Sequence, residues 1–262
     1  VHHMSTADVA SDLDQIRQAL GDQKLNFLGY SYGTAIGATY AAMFPTTIRA
    51  MVLDGSVSPS ATAAEETMAQ AMGFERTLKN FITACNADTT CALAPDTAGA
   101  IDAARASLQK EPVKVATASG ERTLTADLFD YGLATALYDT STWAPTAQAI
   151  KNIRTTGAKT ILSLVDRQTG RQTNGTYDNS SDAQVMVNCS DQQDRPTEAE
   201  ARADEAKIVA AAPTFGPILG SGLTGCNDWP KPSEPTPKPS AQGAPPIMVI
   251  GSVGDPATPY EW

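Results

Sequence analysis

Over residues 5–58 the apolar positions switch between helical and strand spacing, and the switches outline a fold. Val9, Leu13, Ile16 and Leu20 recur every three or four residues behind two possible N-caps, Ser5 and Thr6, and Gly21 ends the pattern. This spacing predicts an amphipathic helix from Ser5 to Leu20. Residues 24–29 (KLNFLG) then form a short apolar run that predicts a buried strand. Residues 34–43 (TAIGATYAAM) predict a helix whose Ala35, Gly37, Ala38, Ala41 and Ala42 are small enough for close packing on a sheet, with Pro45 closing it. A second buried strand is predicted at 50–53 (AMVL), ending at Asp54-Gly55. Helix, strand, helix, strand at this spacing predicts a parallel α/β sheet with right-handed crossovers.

Beyond Pro59 the alternation stops. Residues 61–84 and 97–109 are alanine-rich and helical in pattern, a strand is predicted at 113–118, and helices follow near 125–138, 141–154 and 158–167. The polar stretch 168–182 predicts an exposed loop, and 197–211 another helix. From 228 to 246 the chain is rich in proline, serine and lysine, which favours an extended surface run. Ile247-Met248-Val249-Ile250 then predicts a return to the sheet, with 251–256 (GSVGDP) as the loop at its C-terminal end. The expected organisation is a first part of the core at 1–59, a mainly helical cap insertion at 60–240, and a return to the core at 241–262. In fold class this is an α/β-hydrolase parallel sheet with a helical lid.

The chemistry follows from 26–34 (NFLGYSYGT), where G-x-S-x-G falls between a predicted strand and a predicted helix. A sharp strand-to-helix turn exposes a serine hydroxyl, and glycines at its flanks relieve crowding. The N–H of the following residue points at a forming oxyanion, and the helix N-terminus adds its positive dipole end. These roles fall to Ser31, Gly29, Gly33 and the backbone N–H of Tyr32. In such a site the acid follows the serine in sequence, in a loop after a later strand. Asp255 fits, and Asp54, which also ends a predicted strand, is the rival. A serine nucleophile also needs a base. The chain has two histidines, His2 and His3, both at its start. The base therefore lies outside these residues, or one of these histidines supplies it, or the domain is catalytically silent. The first is the expectation.

Composition narrows the partners. The net charge of −10 disfavours nucleic acid and anionic membrane, and no apolar run is long enough to span a bilayer. No cofactor or metal is expected, because the cysteines lack zinc-site spacing and no histidine lies near them. Cys85 and Cys91 form a local pair, and Cys189 and Cys226 could close a longer loop. The pairings Cys85–Cys91 and Cys189–Cys226 are the simplest arrangement, with four buried thiols as the alternative. Disulfides would mean maturation outside the cytosol. No secretory signal opens the chain, as in a mature protein or a fragment. Sequons at Asn174, Asn179 and Asn188 are weak signals in polar segments.

The chain resembles the tripeptidyl aminopeptidase family of secreted actinobacterial α/β-hydrolases. The resemblance rests on 5–21 (STADVASDLDQIRQALG), 26–45 (NFLGYSYGTAIGATYAAMFP), 51–59 (MVLDGSVSP) and 247–262 (IMVIGSVGDPATPYEW). It also rests on Cys189 with Asp191, and on Cys226 with Trp229 and Pro230. It implies a secreted or cell-envelope serine peptidase that releases short peptides from free N-termini through an acyl-enzyme on Ser31. Asp255 would then orient a histidine that follows it by some tens of residues. A glycine- and proline-rich oxyanion loop would precede the first helix. Neither the loop nor that histidine is among these residues, so truncation at both ends is expected. A carboxylesterase of the same fold and a binding domain are the alternatives. An aminopeptidase must pair the substrate's ammonium with a carboxylate. Glu65, Glu66 and Asp191 are available for this, although each also fits an ordinary surface or structural role.

Overall fold

A computed structural model describes residues 3–230, 237 and 240–262. The chain divides into two compact units, one of Val1–Gly73, Asp182–Ile208 and Gly220–Trp262, the other of Phe74–Ser181 and Val209–Leu219. Much of the predicted extended run 228–246, and His2, lie outside the described residues.

The first unit is built on a parallel sheet. Its described strands are β1 (Leu25–Tyr30), β2 (Ile48–Asp54) and β5 (Met248–Ile250), in the order β1-β2-β5. The register sets Tyr30 opposite Asp54 and Asp54 opposite Ile250, so the three strands end level. Helix α1 (Thr6–Ala19) begins at Ser5, whose hydroxyl accepts from Asp8 N–H while the Asp8 carboxylate accepts from Ser5 N–H. This reciprocal cap satisfies two otherwise orphaned donors. Helix α2 (Tyr32–Met43) connects β1 to β2. Both helices pack on one sheet face, where Ala10, Tyr40 and Ala41 bury against Ile48, Met51 and Leu53, with Leu25 and Phe27 alongside. Burying each large apolar side chain in that layer contributes roughly 1.5–3 kcal/mol. The small residues of α2 allow the approach: a Cβ on Gly37 would lie 2.5 Å from Leu53 Cδ2 and 2.7 Å from Phe27 Cε1.

A polar staple crosses this layer. The Asp14 carboxylate, buried in α1, accepts from Arg17 Nε at 2.8 Å, Gln18 Nε2 at 2.7 Å and Tyr40 Oη at 2.8 Å. The hydrogen bond from Arg17, helped by the other two donors, holds its carboxyl below the usual range. The opposite sheet face differs from the expectation of buried strands. Leu28, Tyr30, Met248 and Ile250 are exposed there, because no described helix lies over them.

The second unit is mainly helical. It takes in the later part of α3 (Ala63–Ala87), then α4 (Thr97–Lys110), α5 (Ala126–Ala136), α6 (Trp143–Lys151) and α7 (Ala158–Thr169). A π-helical turn at Ile153–Gly157 separates α6 from α7, where a single helical pattern ran to 154 in the sequence. An antiparallel hairpin of β3 (Val113–Thr117) and β4 (Gly120–Leu124) sits between α4 and α5, and β4 is an addition to the predicted elements. Phe81, Phe129, Leu133, Ile161 and Leu162 form part of the core, and a Cβ on Gly132 of α5 would lie 2.7 Å from Ile161 Cγ2 of α7. Arg105 Nε reaches both oxygens of the buried Asp130, at 2.9 and 3.0 Å. Burial nonetheless pushes the Asp130 carboxyl up to about 6. Cys85 and Cys91 are joined in a disulfide in this unit, and Cys189 and Cys226 in the first, as the sequence suggested. Among the described residues three further α-helices precede β5: α8 (Ser180–Asp191), which begins inside the predicted loop, α9 (Glu198–Ala211) and the short α10 (Gly216–Gly220).

Two outcomes follow. Tyr40→Phe removes the hydroxyl that donates to Asp14 and meets Thr47 Oγ1 at 2.8 Å. It should lower stability by about 1–3 kcal/mol in urea denaturation, with an unchanged slope. Asp130 binds its proton more tightly folded than unfolded. Its contribution is therefore fully present below the ordinary value of 3.8 and is lost as the pH rises through about 6. Asp130→Asn should flatten that part of the stability profile, measured by denaturation across the same pH window.

Candidate active site

The backbone at the end of β1 carries the main signal. Ser31 has φ 50° and ψ −122°, and is the one non-glycine residue with positive φ among the described residues. Such a conformation costs of order 1–3 kcal/mol and persists only where its surroundings enforce it. Here the Ser31 N–H donates to the Asp54 carbonyl at 3.0 Å, which carries the parallel ladder one residue past β1. The Ser31 carbonyl accepts from Thr34 N–H at 2.9 Å and Thr34 Oγ1 at 2.6 Å. Thr34 Oγ1 in turn accepts from Val57 N–H at 2.9 Å, tying the turn to the loop after β2. The serine side chain is left exposed and caps nothing.

The two motif glycines differ in role. A Cβ on Gly29 would lie 2.5 Å from the Gly33 carbonyl oxygen, so only glycine lets β1 and α2 approach this closely. A Cβ on Gly33 would meet nothing within 4 Å. The expectation that both relieve crowding therefore holds for Gly29 and not for Gly33. Tyr32 opens α2, so its N–H has no carbonyl within the helix to bind. Its hydroxyl donates to Asp191 Oδ2 at 3.1 Å and also meets Thr6 Oγ1. Thr6 N–H and Oγ1 donate to the same carboxylate, the former at 2.8 Å. Burial, reinforced by the negative charge of Asp191, pushes the Tyr32 hydroxyl above the ordinary tyrosine range.

Asp255 lies in the loop after β5. Its Oδ1 accepts from Ala257 and Thr258 N–H, each at 2.9 Å, and its Oδ2 from Thr258 Oγ1 at 2.8 Å. A Cβ on Gly55 would be 3.7 Å from Asp255 Oδ2, and Gly55 N–H donates to the Ile250 carbonyl at 2.9 Å. The Asp255 loop thus sits at the sheet edge where β2 ends and Asp54 receives the Ser31 N–H. Asp54, the rival acid, offers its carbonyl to Ser31, and its carboxylate has no fixed partner among the described residues. No hydrogen bond joins Ser31 to Asp255 directly.

The remaining sequence candidates separate clearly. His3 is exposed, and its Nδ1 lies 3.9 Å from Asp8 Oδ1 in the first turn of α1. Glu65 accepts from Thr62 N–H and Oγ1, both at 2.9 Å, which is a helix-capping role. Asp191 is committed to Thr6 and Tyr32. Glu66 has no such partner, and burial raises its carboxyl. A cavity of about 350 Å³ in the same unit is lined by Thr62, Ala63, Asp194, Arg195, Glu200 and Leu223 among others, and neither Ser31 nor Asp255 forms its wall. Among the described residues no group of three or more His, Cys, Asp or Glu could hold a metal ion. Thr6 and Thr34 were not singled out as site residues in the sequence. Their contacts join distant segments, and only Thr34's place three residues after the serine could have hinted at a role.

A serine on a strained turn between a parallel strand and a helix, with an aspartate loop at the same sheet edge, defines the α/β class of hydrolase folds. The chain belongs to the α/β-hydrolase fold family, which it matches over residues 2–260. It is similar to the serine protease Hip1 of Mycobacterium tuberculosis, at 36% identity over 275 residues covering 99% of this chain and 52% of the relative. It is similar to carboxylesterase B of the same organism at 35% identity, covering 99% of this chain and 51% of the relative. It is also similar to the tripeptidyl aminopeptidase of Streptomyces lividans, at 29% identity over 99% of this chain and 48% of the relative. The chain thus spans about half the length of the curated relatives it matches.

The glycine geometry sets a paired outcome. Gly29→Ala should disrupt the turn and lower the yield of folded protein, whereas Gly33→Ala should fold and be as stable or slightly more so. Thermal unfolding of the two variants side by side tests this.

Proposed function

We propose that the protein carrying this chain is a serine hydrolase, and within that class an aminopeptidase that releases short peptides from free N-termini. The observation that carries the proposal is Ser31 in its strained turn, with an exposed hydroxyl at the level ends of three parallel strands. In this reading Ser31 Oγ attacks the scissile carbonyl and forms the acyl-enzyme, while a histidine supplied outside these residues takes the hydroxyl proton. Asp255, oriented by three donors, still has lone-pair capacity to accept an N–H from that histidine. Tyr32 N–H is one donor to the oxyanion, and the second comes from elsewhere in the protein. The mainly helical stretch 60–240 serves as the cap insertion, and 1–59 and 241–262 as parts of the core.

The peptidase reading draws on the relatives named serine protease and tripeptidyl aminopeptidase. A second reading, carboxylesterase, draws on the relative of that name at similar identity. Acyl transfer from an ester and from an amide uses the same groups, so the substrate decides between them. The two disulfides support maturation in an extracytoplasmic, oxidising compartment. Among the described residues no helix is long and apolar enough to cross a membrane.

A fluorophosphonate probe on the natural polypeptide should label Ser31, and Ser31→Ala should lose the label. Absence of labelling in the wild type would reject both enzyme readings in favour of a binding domain. Tripeptide amides with a free N-terminus should turn over roughly tenfold or more faster than blocked ones, the rate equivalent of about 1.4 kcal/mol. Equal turnover would reject the aminopeptidase, and a strong preference for esters would favour the carboxylesterase. The 262 residues alone should hydrolyse either substrate poorly.

A further inference from the structure

Tyr32 is anchored through its backbone and through its side chain, and the two anchors come from different parts of the first unit. The peptide that joins Ser31 to Tyr32 is planar, so the direction of its carbonyl sets that of its N–H. That carbonyl is held twice, by Thr34 N–H at 2.9 Å and Thr34 Oγ1 at 2.6 Å. Two bonds at one end still leave the Tyr32 end of the plane free to swing. The Tyr32 hydroxyl closes that freedom by donating to Asp191 Oδ2 at 3.1 Å, and it also meets Thr6 Oγ1. Thr6 is buried, and its N–H and hydroxyl donate to the same carboxylate. One carboxylate thus ties the first residue of α1 to the first residue of α2. Thr6 N–H belongs to the donors that a helix start leaves unsatisfied, and that need is met without Tyr32. The reach to Tyr32 is additional.

Asp191 is itself held in place. It is the last residue of α8, and the buried Cys189 two residues before it is bonded to Cys226. Arg195 closes the helix end: its Nη1 donates to the Gln192 and Asp194 carbonyls at 2.6 and 2.9 Å, and its Nη2 to the Cys189 carbonyl at 3.2 Å. A cation there also meets the partial negative charge of the helix C-terminus. Burial, with the charge of Asp191, raises the Tyr32 hydroxyl, which therefore stays protonated and remains a donor in neutral solution. We propose, resting on the serine-hydrolase reading above, that Asp191 is a positioning residue for the oxyanion site: through the Tyr32 hydroxyl it holds the Tyr32 N–H where a forming oxyanion accepts it. This replaces the ammonium-binding role that the sequence left open for Asp191, because three donors already take up most of the acceptor capacity of its carboxylate. A donor fixed before the reaction needs no reorganisation as charge develops. The tie therefore acts on the transition state and leaves ground-state binding alone.

Kinetics of two variants of the natural polypeptide test this. Tyr32→Phe removes the hydroxyl alone, and Asp191→Ala removes its acceptor. Each should lower kcat for the preferred amide or ester roughly tenfold with KM unchanged, a smaller loss than the roughly hundredfold or more that follows removal of a whole oxyanion donor. Affinity for a peptide aldehyde should fall by the same factor, since Ser31 Oγ bonds to the aldehyde carbon, its proton passes to the base, and the new tetrahedral oxygen faces the Tyr32 N–H. Affinity for the product peptide acid should not change, a split that a merely structural tie would not give. The double variant should be no slower than the slower single one, because both remove one contact. Unchanged kcat in Tyr32→Phe would overturn the proposal. So would a loss of product affinity that matches the loss of kcat, or losses that add in the double variant. Should Asp191→Ala fail to fold, Tyr32→Phe decides the point alone. A wild-type protein that turns over neither amide nor ester would reject the hydrolase reading, and the proposal with it, whereas an active wild type with an unaffected Tyr32→Phe rejects the proposal only.

Discussion

The hydrogen bond from Ser31 N–H to the Asp54 carbonyl is the constraint on which the proposed chemistry of the first unit depends. It extends the parallel ladder past the end of β1 and so fixes a residue whose φ and ψ an L-amino acid would otherwise avoid. The strain is sustained by what surrounds it. Thr34 binds the serine carbonyl twice, Gly29 lets α2 begin in contact with β1, and the apolar layer under α2 holds the helix down. Loosening any of these would let the serine relax toward ordinary backbone geometry, and its hydroxyl would turn away from the sheet edge.

The same ladder organises the loop that bears the proposed acid, Asp255. Gly55 N–H donates to the Ile250 carbonyl just as Ser31 N–H donates to Asp54, so two successive strand ends are locked by one repeated bond. Asp255 follows from the second of these locks. Its carboxylate is then oriented by its own turn, through the backbone of Ala257 and Thr258 and the Thr258 hydroxyl. Tyr32 and Asp191 show another kind of link. Asp191 lies two residues beyond a half-cystine of the Cys189–Cys226 bond and receives the Tyr32 hydroxyl, so a residue beside the serine is braced from a distant part of the chain.

How much of this was legible in the sequence depended on whether a feature was local. Helix α1, β1, α2 and β2 declared themselves through their apolar spacing, although Ile16 and Leu20 of the first pattern are exposed and α1 buries Thr6, Ala10 and Asp14. The elbow was legible because strand, G-x-S-x-G and small-residue helix are adjacent in the chain. Strand β4 was not, since Glu121, Arg122 and Thr123 give no apolar alternation and the strand exists by pairing with β3. Helix α8 was hidden for a similar reason: it is polar, with Cys189 as its buried residue, and is tied to Cys226 through sulfur. The pairing of Thr6 with Asp191 spans 185 positions and leaves no trace in either local pattern. The separate demands on Gly29 and Gly33 also needed coordinates, because the motif treats them alike.

The position of the Cys189–Cys226 disulfide has a consequence for chain integrity. A backbone break between these cysteines would leave both pieces joined through sulfur. A break beyond Cys226 would leave the residues from there to Trp262 without a cysteine among them, since the four of these 262 residues occur at 85, 91, 189 and 226. That piece would carry β5 and Asp255, held to the rest by the short β2–β5 ladder, the Gly55–Ile250 bond and side-chain contacts such as Gln70 Nε2 to the Ala257 carbonyl. Ser31 and Asp255 thus lie on opposite sides of the Cys189–Cys226 cross-link, and the proline-rich stretch from 228 onward is the peptide connection between that cross-link and Asp255.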